Sequence, residues 1–184
     1  MRWVCALVAV AAMAWVGGGV AAELGRPKGE VVLTVTGNIG ATNRGPYDDF
    51  EDGFFKHHER KFDKAATFDL AMLEGLGMHE VTVAYSAWPR TFRFEGPWLK
   101  DVLAAAAASG HDIAVLALDG YAEEISAADL DAYDWILAVK RDGRYLDIGQ
   151  HGPTWIVYAR RDGKAISAED EQRWPWAAFL IEVK

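Results

Sequence analysis

Three turns of this 184-residue chain gather the side chains best suited to holding a small molecule. Trp88 and Arg90 lie in Ser86-Ala87-Trp88-Pro89-Arg90, and Asp119 and Tyr121 lie in Leu118-Asp119-Gly120-Tyr121. His151 and Gly152 lead through Pro153 and Thr154 into Trp155. Together they suit a flat heterocycle, which needs planes to stack on and a polar group facing its amine, ring N–H and carbonyl edge. Trp88 and Trp155 would supply planes, Asp119 the carboxylate for the edge, and Tyr121 a ring or hydroxyl. His151 would bring an imidazole that donates at one nitrogen and accepts at the other, Gly152 open backbone amides, and Arg90 a guanidinium to stack or to attract an anionic tail. Each also has a plainer reading: core packing for the tryptophans, an Asp-Gly turn bonding its own backbone for Asp119, a half-buried strand start for Tyr121, a solvated loop for His151 and a surface charge for Arg90.

Other chemistries find less to rest on. His57-His58-Glu59 offers metal-ligand types, but adjacent histidines diverge on a helix or strand, the His-Glu-x-x-His spacing is missing, and His79 and His111 stand at no ligand-like distance. Asp48-Asp49-Phe50-Glu51-Asp52-Gly53 lacks the spacing of a calcium loop and reads as a solvated acidic turn. No Gly-x-Ser-x-Gly, Walker A or Rossmann glycine pattern occurs.

The single cysteine, Cys5, falls in what reads as a cleavable export signal: Arg2, an apolar run from Trp3 to Val16, and small residues ending at Val20-Ala21-Ala22. Cleavage after Ala22 predicts a periplasmic protein with no thiol, and so no disulfide, thiol nucleophile, iron–sulfur cluster or thiolate-ligated metal. The apolar run is shorter than the ~20 residues of a spanning helix and is broken by Gly17-Gly18-Gly19, so no stable membrane insertion is expected. Net charge is -8, and losing Arg2 makes it -9, which disfavours a nucleic-acid partner. About 160 residues remain, one domain's worth.

The elements that must position the candidate residues form an α+β mixture with more strand than helix. Val31–Thr36 reads as a strand ending at Gly37-Asn38, and the segment from Asn43 to Lys64 as a long aromatic and acidic loop with a short helix. A helix follows near Phe68–Glu74, then strands at Glu80–Tyr85 and Thr91–Phe94, then a helix over Trp98–Ala108 stopped by Gly110. Ile113–Leu118 reads as a buried strand, Ser126 caps a short helix, and Trp135–Lys140, Trp155–Tyr158 and Phe179–Val183 complete the strands. Arg141 to Pro153 reads as a loop.

This order of elements resembles the sulfite-oxidase-like molybdopterin-binding domain, a fold of mixed β-sheets with short helices. The resemblance rests on Phe94-Glu95-Gly96-Pro97-Trp98-Leu99-Lys100-Asp101-Val102-Leu103, on Leu118-Asp119-Gly120-Tyr121, and on Gly152-Pro153-Thr154-Trp155-Ile156-Val157-Tyr158. It spans nearly all of residues 23–184. Enzymes of that family ligate molybdenum through a cysteine thiolate, which no residue after the export signal can supply. The chain is accordingly more similar to the cysteine-free periplasmic pterin-binding regulators of the same fold, through Leu33-Thr34-Val35-Thr36-Gly37-Asn38-Ile39, Asn43, Thr82, Trp88-Pro89 and Trp174-Pro175-Trp176. It differs from them in having Asp119 where Asn is frequent, and Gln150-His151 where a basic residue usually precedes the Gly-Pro pair. The resemblance implies a non-catalytic protein that binds a pterin without metal and reports it to the periplasmic part of an inner-membrane signalling protein, a cyclic-diguanylate enzyme or a histidine kinase. The alternative is a molybdopterin-dependent oxidoreductase with unusual metal ligation. The loop from Asn43 to Phe62, with aromatics beside charges, is the expected partner-docking face.

Overall fold

The computed structural model describes residues 24–184 apart from His111 and Gly163, so the expected export segment Met1–Ala22 lies outside the described residues. The β-branched run Val31–Gly37 is strand β1. Gly37, at φ 85°, must be glycine there, because a Cβ would fall 2.0 Å from the Val183 carbonyl oxygen. Helix α1 (Gly53–His57) lies within the aromatic loop, followed by β2 (Ala66–Asp69) and α2 (Leu70–Gly75). The helix expected near Phe68–Glu74 is thus a strand–helix junction. Ala66–Asp69 pairs antiparallel with β1, Phe68 is fully buried in that strand, and Asp69 accepts from Met72 N (2.8 Å) to start the helix. Asp69 also accepts from the Lys28 and Gly29 amides (2.7 and 2.8 Å), and the backbone donors at Gly29 and Met72 hold its carboxyl below the ordinary value.

Strands β3 (His79–Val83) and β4 (Phe92–Gly96) pair antiparallel across the Trp88 loop. Helix α3 (Leu99–Ala105) ends three residues earlier than expected, because Ala107 turns to a left-handed φ of 48° and the Ala107 and Ala108 amides bond back to Ala104 O and Leu103 O (2.9 and 3.0 Å). Then come β5 (Ile113–Ala117), β6 (Ala122–Ile125), α4 (Ala127–Ala132) and β7 (Tyr133–Ala138). Ser126 caps α4 as expected, accepting from Asp129 N at 3.1 Å. The presumed loop after β7 contains a hairpin, β8 (Lys140–Arg141) and β9 (Arg144–Tyr145), turned at Asp142-Gly143, where Asp142 and Gly143 have φ 52° and 78°. Strand β10 (Trp155–Arg160), helix α5 (Ala168–Gln172) and strand β11 (Ala178–Val183) complete the chain.

The chain folds as a mixed α+β unit of several sheets and short helices. Its largest sheet has the order β2-β1-β11-β5-β6, and the final strand inserts between β1, to which it is parallel, and β5. A second sheet runs β3-β4-β8-β9, and β7 pairs antiparallel with β10. These last two are pressed together at Gly96, where a Cβ would meet Leu137 O at 2.0 Å. One apolar core links all three sheets through Leu33, Phe68, Phe94, Leu99, Ile136 and Ile156, and it closes one end around aromatic side chains that lie next to the candidate site. Among the described residues no helix is long and apolar enough to cross a membrane.

Candidate functional site

Five loops converge at that end: Tyr85–Phe92, Leu118–Tyr121, the β8–β9 hairpin, Leu146–Thr154 and Trp174–Ala177. Backbone bonds tie them together. Ala177 N donates to His151 O (2.9 Å), Leu118 N to Ala177 O (3.0 Å), Ile156 N to Pro175 O (3.1 Å) and Gly152 N to Asp147 O (3.1 Å). Gly152 earns its residue type by close approach, since a Cβ would lie 2.1 Å from Leu146 O, and it precedes a cis peptide bond to Pro153. Its role is to let two backbones meet.

The aromatic side chains beneath these loops form one cluster. Trp88 packs at 5.5–6.0 Å against Phe92, Phe94, Trp155 and Trp174, and Tyr85 meets it at 5.9 Å. Trp155, only 5 % exposed, donates from Nε1 to Trp174 O (3.2 Å) and carries His151 flat on its face, with centroids 4.4 Å apart at 9°. His151 in turn meets the edge of Trp176 (5.8 Å, 82°) and lies 3.5 Å, Nδ1 to Nη1, from Arg141. Burial first, and the Arg141 charge second, push the His151 pKa below its ordinary value of 6.5, against a weaker pull from Glu171, so the imidazole is neutral at pH 7.

Two shallow cavities lie near His151, one lined by its contact Trp176 and the other by its contact Arg141. The first, about 180 Å³, is lined by Asp119, Tyr121, Glu171, Gln172, Trp174 and Trp176. Asp119 is exposed and its Oδ1 accepts from Tyr121 N (3.0 Å), the self-bonded turn that an Asp-Gly pair favours, which leaves Oδ2 without a partner among the described residues. The Tyr121 hydroxyl lies 2.9 Å from both Glu123 Oε2 and Gln172 O. Burial and that carboxylate raise its pKa to about 12, so it stays protonated. Trp176 shows 41 % of its surface, whereas Trp174 is 2 % exposed and its indole N–H has no acceptor among the described residues. The second cavity, about 280 Å³, gathers Arg90, Arg141 and Arg144 with Asp142, Asp147 and Gln150. Arg90 is held by Asp142 (2.7 Å) and stacks over Phe92 at 4.3 Å, while Arg141 lies over the same ring at 4.9 Å.

The fold therefore brings the expected residues into one neighbourhood as two groups. Trp88, Arg90, His151, Gly152 and Trp155 form one, Asp119 and Tyr121 the other, and Trp176 stands between. No family model matches this chain, and no curated protein matches it either. Sequence reasoning passed over Trp176, Arg141 and Arg144 as site residues. Asp142-Gly143 between Arg141 and Arg144 was the available signal for the two arginines, because such a dipeptide turns a hairpin and brings the side chains on either side together. His57 and His58 hold no ligand set: among the described residues no three His, Cys, Asp or Glu side chains cluster as metal ligands.

Proposed function

We propose that this protein is a non-catalytic periplasmic binder of a metal-free pterin, with the sulfite-oxidase-like fold, that reports ligand state to an inner-membrane signalling partner. The observation that carries this reading is the cavity shared by Asp119, Tyr121, Trp174 and Trp176. The exposed Trp176 face suits stacking, and the Asp119 carboxylate suits the amine and ring N–H of an aminopyrimidinone. At about 180 Å³ the cavity lies below the ~300 Å³ at which drug-sized pockets begin, so a bicyclic ring there would lie partly in the open. A substituent at the far end of such a ring would extend past neutral His151 towards Arg90, Arg141 and Arg144, whose charge favours a carboxylate or phosphate tail.

Trp88 and Trp155 support this site from below, because both are packed among other aromatic rings. Titration with tetrahydroneopterin under anaerobic conditions, followed by quenching of tryptophan fluorescence, tests the proposal. Trp176→Ala and Asp119→Ala should each weaken binding about tenfold or more with the fold intact, the scale of one lost stacking or charged edge contact. Binding unchanged in both variants would remove this cavity from consideration.

A further inference from the structure

The segment from Tyr47 to Arg60 presents the most exposed large apolar side chain described, Phe50, at 87 %. This exposure is built into the local structure. Asp48 Oδ1 accepts from the Phe50 and Glu51 amides (2.8 and 2.9 Å), Asp52 N donates to Asp48 O (3.0 Å), and the buried Asp52 carboxylate accepts from Asp48 N (2.9 Å) and pairs with Arg44. The turn is thereby fixed with the phenyl ring outward, and Phe54, at 44 % exposure, extends the apolar surface along α1. Asp48 and Glu51, in the same turn as Phe50, have no cationic partner among the described residues, while Asp49 is shared by Lys56 and Lys61 at 3.8 and 3.6 Å. The two backbone N–H donors hold the Asp48 carboxyl below the ordinary range, so it is charged at neutral pH.

The inner face of the same segment packs on the candidate site. Phe54 and Phe55 meet Phe179 at 4.9 and 5.6 Å, His58 meets Phe54 at 4.6 Å, and a Cβ at Gly120 would lie 3.7 Å from His58 Cε1. Gly120 is the centre of the turn that carries Asp119 and Tyr121. A rigid, outward aromatic side chain with unpaired carboxylates beside it suits an interface anchor, because such a ring loses little side-chain entropy on docking and the charges select the partner's rim.

We infer that the Asp48–Asp52 turn and α1 form an output surface, with Phe50 as anchor, for a protein face that offers an apolar socket rimmed by lysine or arginine. The surface stands on its own geometry; the identity of its input, a pterin at the Asp119 turn, and the placing of its partner in a membrane rest on the proposed function. An anionic membrane is disfavoured as the occupant by Asp48 and Glu51.

The experiment places p-benzoylphenylalanine at position 50 of the full-length protein in the producing bacterium, with position 148, where Ile148 is 75 % exposed on another loop, as control. Irradiation should give an adduct with one membrane protein from position 50, little from position 148, and about a tenfold loss of adduct when Asp48→Lys and Glu51→Lys are added. An adduct with phospholipid, equal yield from position 148, indifference to charge reversal, or no adduct overturns the inference. Pterin content, read on the same preparations, separates this outcome from that of the proposed function. A charge-dependent adduct from protein lacking pterin keeps the surface and removes the ligand, whereas pterin-loaded protein without an adduct does the reverse.

Discussion

Replacing Trp155 tests whether the aromatic cluster is the foundation of the site. Its ring is buried against Trp88 and Phe94, so truncation to alanine leaves a cavity in the core, a change that costs about 3–5 kcal/mol in other proteins. In a domain of this size that lowers the melting temperature by about 10 °C. Trp155→Phe keeps a ring beneath His151 but removes the Nε1 donor to Trp174 O, leaving a carbonyl without that partner at a cost of about 1–3 kcal/mol. Urea unfolding followed by circular dichroism measures both losses, and an unchanged m-value would show that the effect lies in the folded state. The same variants carry a second, independent readout in the His151 titration, followed by NMR. Burial is the largest cause of its lowered pKa and the Trp155 face covers one side of the ring, so Trp155→Ala should move the midpoint up towards 6.5 while Trp155→Phe leaves it low. A loss under about 1 kcal/mol in Trp155→Ala, or a midpoint unmoved by it, would refute the picture of His151 held on a structural indole.

Two further outcomes follow from the same geometry. His58 and His151 both have folded-state pKa values below 6.5, because burial opposes the charged imidazole, so the unfolded chain binds more protons than the folded one just below pH 6.5. Stability should therefore be level above about pH 6.5 and fall on acidification through the window beneath it, with a shallower fall in a His58→Phe, His151→Phe double variant; denaturant midpoints across pH 5–8 measure this. Gly152→Ala should unfold the Leu146–Thr154 loop or cost at least ~3 kcal/mol, since its Cβ would overlap Leu146 O, whereas Gly45→Ala, with no atom near its Cβ, should stay within about 0.5 kcal/mol of the parent in thermal unfolding.

The strands that carry this end of the molecule were legible because their signals are local. Val31–Gly37 and Ile113–Ala117 are apolar runs stopped by turn residues, and Ser126 with Asp129 marks the start of a helix by side-chain chemistry alone. Phe68 misled because a helical spacing of apolar residues straddled a strand and a helix, both of which bury their inward side chains. The insertion of β11 between β1 and β5, and with it the approach of Trp176 to His151, depends on pairing between residues far apart in the chain, which no local pattern encodes. Strand β6 has only one buried residue among its four, Ile125, so it offered too little alternation to read. The candidate residues could be named singly from their turns, but their division between an aspartate cavity and an arginine cavity emerges only from the folded chain.

The most direct measurement is of what the protein carries when purified from the cells that make it. Denaturation followed by oxidation of the released material should yield a fluorescent pterin in near-equimolar amount, with molybdenum far below stoichiometry. Protein that releases no pterin, or that holds stoichiometric molybdenum, contradicts the account.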